Sequence, residues 1–256
     1  MVQLNKEIQL LAMDFDGVIV DSILECAVAG YNGYEAYCGR DARIKTPKEI
    51  ILGKLNKFRT MRPFIRSGED YIFLFQALSD GVIISNQEEF DEFQGAYLDR
   101  KESYYQLFYS TRKMIMTSDY DNWIALNPLY RGMSDFFKSM HSMIHIVSTK
   151  APEYIIRILK SNDIELDPKR VNESGRGSSK TDIISKMMHD NHLVPQNLIF
   201  IDDHLDTLHK VENTGVRCLL AGWGYNTIQQ RCICHELNLE LVDLQQFYRE
   251  FNRKGL

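Results

Sequence analysis

The stretch that decides the fold is IQLLAMDFDGV, residues 8–18. Its first six residues form a short, continuous apolar run that stops at acidic residues and a glycine, which is typical of a buried parallel strand ending in a functional loop. Similar apolar runs return only much later in the chain, at 144–147 (IHIV), 198–201 (LIFI) and 217–220 (RCLL). Segments of helical period separate them, such as 151–161 and 180–190. This alternation predicts an α/β fold built on a parallel sheet.

Residues 24–125 have a different character. They hold most of the tyrosine and phenylalanine, and windows such as 88–109 place apolar residues near a 3.6-residue spacing with few β-branched side chains. That spacing predicts helices. The segment lies between the first strand and the rest of the sheet, and Asn127-Pro128 is a suitable point for the chain to return. We therefore expect a helical insertion in the α/β core.

The composition is that of an ordinary globular protein. The 256 residues are 44% hydrophobic and 25% charged, with a net charge of -5, so the overall charge does not favour a nucleic-acid partner. Five cysteines, odd in number and irregularly spaced, argue against a secreted disulfide framework. No apolar segment reaches the length of a membrane span, and the first residues have the features of neither a signal nor a transit peptide. We expect a cytoplasmic chain that binds neither nucleic acid nor membrane.

Two acidic residues follow the first apolar run. In an extended chain, residues i and i+2 project to the same side, so Asp14 and Asp16 can share one small site. Carboxylates that close repel each other unless a cation or a proton neutralises one of them. The alternative is a solvated turn, which acidic residues and glycine often form. The two residues alone leave both interpretations open.

The longer stretch DFDGVIVDS, residues 14–22, resembles the opening motif of the haloacid dehalogenase superfamily, the aspartate-nucleophile phosphatases. The resemblance implies that Asp14 attacks phosphorus, that Asp16 works as acid and base, and that Gly17 belongs to the phosphate-binding loop. Dehalogenases proper lack the second aspartate. The presence of Asp16 therefore points to phosphoryl transfer and away from carbon-halogen cleavage.

Two later segments of the sequence resemble the second and third motifs of that family. Ser148-Thr149-Lys150 follows the second apolar run, which implies that Ser148, or Thr149 as the alternate, holds phosphoryl oxygens. A serine or threonine here can equally well cap a helix that has Pro152 in its first turn, and the two roles can hold together. Further on, the segment Gly175–Asp182 delivers Lys180 to the start of a helix, where the resemblance makes it a catalytic residue that offsets negative charge on the phosphate. A lone lysine is otherwise most often a surface residue.

The fourth motif-like segment is the apolar run 198–201, which is followed by Asp202 and Asp203. It resembles the motif that supplies magnesium ligands, and the spacing back from Gly215-Val216 puts Asp203 in register with the principal ligand. Asp202 and Asp206 are then secondary. The chain departs from the family pattern in having Asp202 where many relatives have glycine, and Thr207 where another aspartate is frequent. Because ligand sites of parallel sheets form at the carboxyl ends of the strands, we expect Asp14, the backbone carbonyl of Asp16, Asp203 and Asp202 to surround Mg²⁺.

The resemblance covers residues 8–22 and 127–256, and the tail segment Ala221–Asn226 looks like that of phosphoglycolate phosphatases. It implies a three-layer α/β/α, Rossmann-like core made of residues 1–22 and 127–256, with an all-helical cap domain over 23–126. Within the cap lies a basic stretch of five residues that can receive an anionic substrate tail, and Arg62 is our candidate substrate-binding residue there. The stretch comprises Lys54, Lys57, Arg59, Arg62 and Arg66. The alternative is a solvated helix face.

Three functions fit these motifs. The leading expectation is a Mg²⁺-dependent phosphatase that hydrolyses a small phosphorylated metabolite through an aspartyl phosphate on Asp14. A sugar phosphomutase would use the same intermediate and return the phosphoryl group to its substrate. A non-enzymatic interaction protein that retains the fold is the third alternative, and the presence of Asp14, Asp16, Lys180 and Asp203 argues against it. The sequence specifies neither the substrate nor the oligomeric state.

Overall fold

The structure, a computed structural model, describes residues 8–41, 43–175, 177–237 and 239–252. They divide into two compact units, one made of the described residues up to Asp21 together with those from Leu129 onward, the other of Ser22–Pro128. The first unit contains the strands β1 Leu10–Met13, β2 Ile144–Ser148, β3 Val171–Glu173, β4 Leu198–Asp202, β5 Arg217–Ala221 and β6 Glu240–Val242. The helices, numbered along the chain, are α1 Ile23–Tyr37, α2 Leu52–Met61, α3 Asp70–Ser79, α4 Gln87–Ala96, α5 Lys101–Ser118, α6 Tyr120–Ala125, α7 Met133–Met140, α8 Pro152–Lys160, α9 Lys180–Asp190, α10 Leu205–Glu212, α11 Ile228–Glu236 and α12 Leu244–Asn252.

The six strands of the described chain form one parallel sheet in the order β3-β2-β1-β4-β5-β6. From β1 the chain first builds the sheet outward through β2 and β3, and it then returns to the other side of β1 with β4. The order therefore reverses between β1 and β4. In open parallel sheets, such a reversal leaves a crevice outside the carboxyl ends of the two strands, where ligands bind.

Both faces of the sheet are buried, which explains why β1 and the first four residues of β4 are apolar. On one face, alternate residues such as Leu10, Ala12 and Phe200 pack with side chains of α9, α10 and α11. The intervening residues, including Leu11 and Ile199, point to the opposite face and are equally buried. A strand that is covered on both faces cannot alternate polar with apolar residues. The predicted α/β fold with a parallel sheet is confirmed.

The second unit is helical, and it contains α1 to α6. In it, α1 packs against α3 and α5. Its interior is rich in stacked rings, for example Phe58 with Phe75 and Tyr71 with Phe108, and it holds a buried ion pair between Arg112 and Glu25. Helices are therefore inserted between β1 and β2, as expected, while the role of this unit as a cap domain with the boundaries 23–126 stays a prediction.

Two strands, β3 and β6, were not predicted. Each has only three residues and lies at an edge of the sheet, and Asn172, Glu173 and Glu240 interrupt the apolar pattern there. Edge strands are buried less completely, so their sequences need no continuous apolar run. Among the described helices, none is both long and apolar enough to cross a membrane.

Candidate active site

The acidic residues predicted from β1 and β4 meet at the point where the strand order reverses. Asp14 follows β1 directly, and its backbone N–H donates to the carbonyl of Ile201 in β4 at 2.9 Å. Asp202 is the last residue of β4, and Asp203 comes next. The pairing of β1 with β4 places these three residues side by side at the carboxyl edge. All three are buried.

Lys180 reaches the same point from α9. The helix is begun by Ser179, whose hydroxyl accepts from the backbone N–H of Asp182, while the carboxylate of Asp182 accepts from the backbone N–H of Ser179. This capping box fixes Lys180 as the first helical residue. Its Nζ donates to Asp202 Oδ2 at 2.8 Å and lies 3.0 Å from Asp14 Oδ2. The ammonium therefore bridges the two carboxylates that end β1 and β4.

Burial and charge act in opposite directions on these groups. Burial disfavours the ammonium form of Lys180, but the carboxylates of Asp14 and Asp202 outweigh it and raise the pKa of Lys180. For Asp14, burial raises the pKa to about 6, although Lys180 works against that rise. The nearby charges of Asp202 and Asp16 push the pKa of Asp14 in the same direction as burial. Burial and the neighbouring carboxylates thus disfavour the carboxylate form of Asp14, and Lys180 offsets this only in part.

The carboxylate of Asp203 is held by backbone atoms. Its Oδ2 accepts from the backbone N–H of Tyr225 at 2.7 Å. Gly17 and Gly224 lie so close to it that an added Cβ atom would be 2.0 Å from Asp203 Oδ2 in the first case and 2.3 Å from Asp203 Cβ in the second. Only glycine fits at these two positions. The loop after β1 therefore contacts the side chain of Asp203 through Gly17.

The three carboxylates at the carboxyl edge fit a hard divalent cation. Asp14, Asp202 and Asp203 each offer a ligand atom within 4.8 Å of the others, and carboxylate oxygens are the ligands that Mg²⁺ prefers. The ion pairs and the acidic cluster at this end of the sheet include four carboxylates and two ammonium groups, those of Asp14, Asp16, Asp202, Asp203, Lys150 and Lys180. A divalent cation would balance the excess negative charge of this set.

Asp16 has a partner, Lys150, that the sequence motifs did not predict. Lys150 Nζ donates to Asp16 Oδ1 at 2.7 Å, and the lysine is completely buried. The same Nζ lies 5.6 Å from the centre of the Phe15 ring. The sequence does contain a signal for Lys150, because it is the third residue of the Ser148-Thr149-Lys150 motif at the end of β2. A charged residue at the carboxyl edge of the sheet is a candidate site residue.

The predicted phosphate-binding hydroxyls lie at the end of β2, the neighbour of β1. Ser148 is buried, and its Oγ accepts from the backbone N–H of Lys150 at 3.3 Å. Thr149 follows and is partly exposed. Neither residue caps a helix, because α8 begins at Pro152 with Ala151 in the capping position. The alternative interpretation of Ser148-Thr149 as a helix cap is wrong.

Two further candidates lie outside this cluster. Asp206 is in the first turn of α10 and is partly exposed, and it is not among the three residues that offer convergent ligand atoms. Arg62 belongs to the helical unit, where it is buried with its guanidinium 5.4 Å from the centre of the Tyr71 ring. A role for Arg62 in substrate binding stays a prediction. Of the other basic residues, Arg66 pairs with Asp91.

No protein-family model matches the chain, and no curated protein matches it by sequence. Solved structures do match over nearly the whole length. A haloacid dehalogenase-like hydrolase from Streptococcus pneumoniae is 15% identical, with a TM-score of 0.62, over 97% of this chain and 100% of its own. A predicted phosphoglycolate phosphatase from Haemophilus somnus is 11% identical, with a TM-score of 0.60, over 95% and 98%. A haloacid dehalogenase family hydrolase from Deinococcus radiodurans, solved with bound phosphate and sodium, is 13% identical, with a TM-score of 0.58, over 98% of both chains.

These similarities span both units of the chain, although the sequences have diverged widely. At such low identity they establish the fold and leave the activity to be argued from the site. The matched length includes the parallel sheet and the helices inserted after β1. The chain therefore has the fold of the haloacid dehalogenase-like proteins, as the sequence resemblance implied.

Proposed function

We propose that this protein is a Mg²⁺-dependent phosphatase that hydrolyses a small phosphorylated metabolite through an aspartyl phosphate on Asp14. The observation that carries the proposal is the position of the Lys180 ammonium between the buried carboxylates of Asp14 and Asp202, beside Asp203. A nucleophilic carboxylate, a fixed cation and a set of oxygen ligands meet there, which is what phosphoryl transfer to a carboxylate requires. Phosphatases and hydrolases among the proteins of the same fold support the proposal.

In the first step, a carboxylate oxygen of Asp14 forms a bond to phosphorus while the bond from phosphorus to the leaving oxygen breaks. Asp16 gives its proton to the departing oxygen. The backbone N–H of Phe15 donates to Asp14 Oδ1 at 2.7 Å and fixes the orientation of the nucleophile. Lys180 offsets negative charge that gathers on the phosphoryl oxygens. The products of this step are an alcohol and the aspartyl phosphate.

In the second step, water attacks the phosphorus of the aspartyl phosphate, and Asp16 takes the proton from that water. The bond between phosphorus and Asp14 breaks, which releases inorganic phosphate and restores the carboxylate. The ammonium of Lys150 donates to Asp16 Oδ1 at 2.7 Å and holds this carboxyl group in place for both proton transfers.

The remaining residues bind the phosphoryl group, offset its charge or exclude water from it. Asp14, Asp203 and Asp202, with the backbone carbonyl of Asp16, would hold Mg²⁺, which supplies positive charge for the phosphoryl oxygens when it is bound. Ser148 and Thr149 offer hydroxyls to the same oxygens, and Gly17 belongs to the loop that binds the phosphate. We assign the helical unit to the role of a cap that excludes water during the first step, with Arg62 as a substrate contact.

The test is hydrolysis of p-nitrophenyl phosphate in the presence of MgCl2. We expect turnover by the wild-type protein and a loss of at least about a thousandfold in Asp14→Asn, because an amide cannot form the intermediate. Asp190→Asn is the matched control, since Asp190 is an aspartate in an exposed ion pair with Lys186. Substantial turnover by Asp14→Asn would refute the nucleophile assignment. A requirement for a sugar bisphosphate activator would instead indicate mutase chemistry.

A further inference from the structure

The loop after β5 has a tight and specific conformation. We call residues 222–226, Gly-Trp-Gly-Tyr-Asn, the β5 loop. Its backbone turns back on the end of the strand, because Gly224 N–H donates to the carbonyl of Ala221 at 2.9 Å and Asn226 N–H donates to the carbonyl of Gly224 at 3.1 Å. The proposed chemistry uses none of these residues.

The β5 loop binds the loop that carries Asp14 and Asp16. Trp223 Nε1 donates to the carbonyl of Val18 at 3.1 Å. The Tyr225 hydroxyl donates to Asp21 Oδ1 at 2.7 Å. The indole of Trp223 also packs 5.5 Å from the ring of Phe247 in α12, which anchors this side of the loop to the core.

Two residues of the β5 loop, Tyr225 and Asn226, also bind Asp203, the predicted principal metal ligand. Tyr225 N–H donates to Asp203 Oδ2 at 2.7 Å, and Asn226 Nδ2 donates to the backbone carbonyls of Asp203 at 3.3 Å and of Ala221 at 2.9 Å. Arg231 Nε donates to Asn226 Oδ1 at 2.6 Å. This contact fixes which end of the amide is the acceptor, so that the NH₂ group faces Asp203.

The β5 loop also lies in close backbone contact with the loops that follow β1 and β4. A Cβ atom on Gly224 would lie 2.3 Å from Asp203 Cβ and 2.5 Å from the carbonyl oxygen of Gly17. The backbone of the β5 loop therefore contacts both the loop after β1, at Gly17, and the loop after β4, at Asp203. A side chain at position 224 would push them apart.

We propose that the β5 loop positions Asp203 relative to Asp14, and that Tyr225 and Asn226 are positioning residues for the metal ligands. The inference rests on the proposed function, because it assumes that these carboxylates bind Mg²⁺. Groups that orient metal ligands without touching the metal set its affinity strongly, and their loss typically weakens binding by about 10- to 100-fold. Tyr225 and Asn226 hold both the side chain and the backbone of Asp203.

The experiment measures Mg²⁺ binding directly, by titration calorimetry with MgCl2 alone, in wild type, Tyr225→Phe and Asn226→Ala. Tyr225→Phe removes only the hydroxyl that binds Asp21, and Asn226→Ala removes the amide that binds Asp203. Tyr248→Phe and Asn172→Ala are matched controls, because each makes the same side-chain change and removes a hydrogen bond outside the β5 loop, to the backbone carbonyl of Arg131 or Ile146. Thermal unfolding without metal checks that each variant is folded.

We expect the magnesium dissociation constant to rise about tenfold or more in Asn226→Ala, and severalfold in Tyr225→Phe, with both controls unchanged. With p-nitrophenyl phosphate, the magnesium concentration that gives half-maximal rate should rise in parallel. The kcat at saturating magnesium should return to within a few-fold of wild type, which a general loss of structure would not allow.

Wild-type affinity in both variants would overturn the inference and leave the proposed function standing. The inference would also fail, with the proposed function intact, if the two controls weaken binding as much as the two loop variants do. A wild-type protein that takes up no Mg²⁺ would overturn the inference and the proposed magnesium dependence together.

Discussion

The Cα atom of Gly17 faces the carboxylate of Asp203 so closely that a Cβ atom on Gly17 would lie 2.0 Å from Asp203 Oδ2. Gly17 also has a φ of +87°, in the left-handed region that favours glycine. Its N–H donates to the carbonyl of Val20 at 2.8 Å, which closes the turn after β1. Two segments almost two hundred residues apart thus meet through a residue that has no side chain.

Gly17→Ala should therefore damage metal binding more than it damages stability. The methyl group must displace the carboxylate of Asp203, and we expect Mg²⁺ affinity and phosphatase activity to fall by about tenfold or more. The left-handed backbone alone costs about 1 kcal/mol. Gly81→Ala is the matched control, because Gly81 has a φ of +75° but nothing within 4 Å of its added Cβ. Equal magnesium affinity in the two variants, measured by calorimetry, would contradict this account.

Lys150→Met should impair the step in which Asp16 acts as a base. The buried ammonium of Lys150 donates to Asp16 Oδ1 at 2.7 Å, so its removal takes away a contact that orients this carboxyl group for proton transfer. We expect kcat to fall by about tenfold or more at neutral pH. The measurement is kcat for p-nitrophenyl phosphate at saturating substrate and MgCl2. Lys186→Met, which breaks an exposed lysine-aspartate pair, is the control, and a wild-type kcat in Lys150→Met would remove Lys150 from the mechanism.

Strand ends are what the sequence predicts best in this molecule. Asp14 and Asp202 each terminate an apolar run that must be buried on both faces, so both had to emerge at the same edge of a parallel sheet. The contact between Lys150 and Asp16 was harder to predict, because it depends on how a long side chain crosses from β2 to the loop after β1. No local sequence pattern indicates which distant residue a lysine side chain contacts.

The β5 loop shows the same limit. The sequence singled out Ala221–Asn226 by its resemblance to phosphoglycolate phosphatases, without assigning a role to any residue in it. The bond from Tyr225 N–H to Asp203 Oδ2 is made by the backbone, and any residue other than proline can supply it. A contact of that kind follows from the path of the chain rather than from the identity of the side chain.

The helical unit contains a buried carboxyl group whose titration should be visible in its stability. Burial raises the pKa of Asp70 to about 6 from 3.8, and the neighbouring Glu69 adds to that rise. Folding therefore favours the protonated form of Asp70. The stability that this group contributes is fully present below about pH 4 and is lost as the pH rises from about 4 to about 6. The loss is on the order of 3 kcal/mol.

Asp70→Asn should remove this loss. Relative to wild type, the variant should gain about 2–3 kcal/mol in the free energy of unfolding between about pH 4 and about pH 7, measured by urea unfolding at each pH. The amide gives up one hydrogen bond, from Gln94 to Oδ1, and this lowers its stability by a constant amount. Asp99→Asn, at an exposed aspartate of the same unit, is the control. A difference between Asp70→Asn and wild type that does not change with pH would count against the raised pKa.

The central claim is that Asp14 takes up a phosphoryl group, and a rapid-mixing experiment on Asp16→Asn with p-nitrophenyl phosphate and MgCl2 tests it most directly. The p-nitrophenolate leaving group needs no proton from Asp16, whereas breakdown of the aspartyl phosphate needs Asp16 as a base. We predict a burst of p-nitrophenolate close to one equivalent of enzyme, followed by slow turnover. Acid quenching and borohydride reduction should then modify residue 14, as mass spectrometry of its peptide would show. Turnover by the wild type with neither a burst nor modification at Asp14 in this variant would contradict the account.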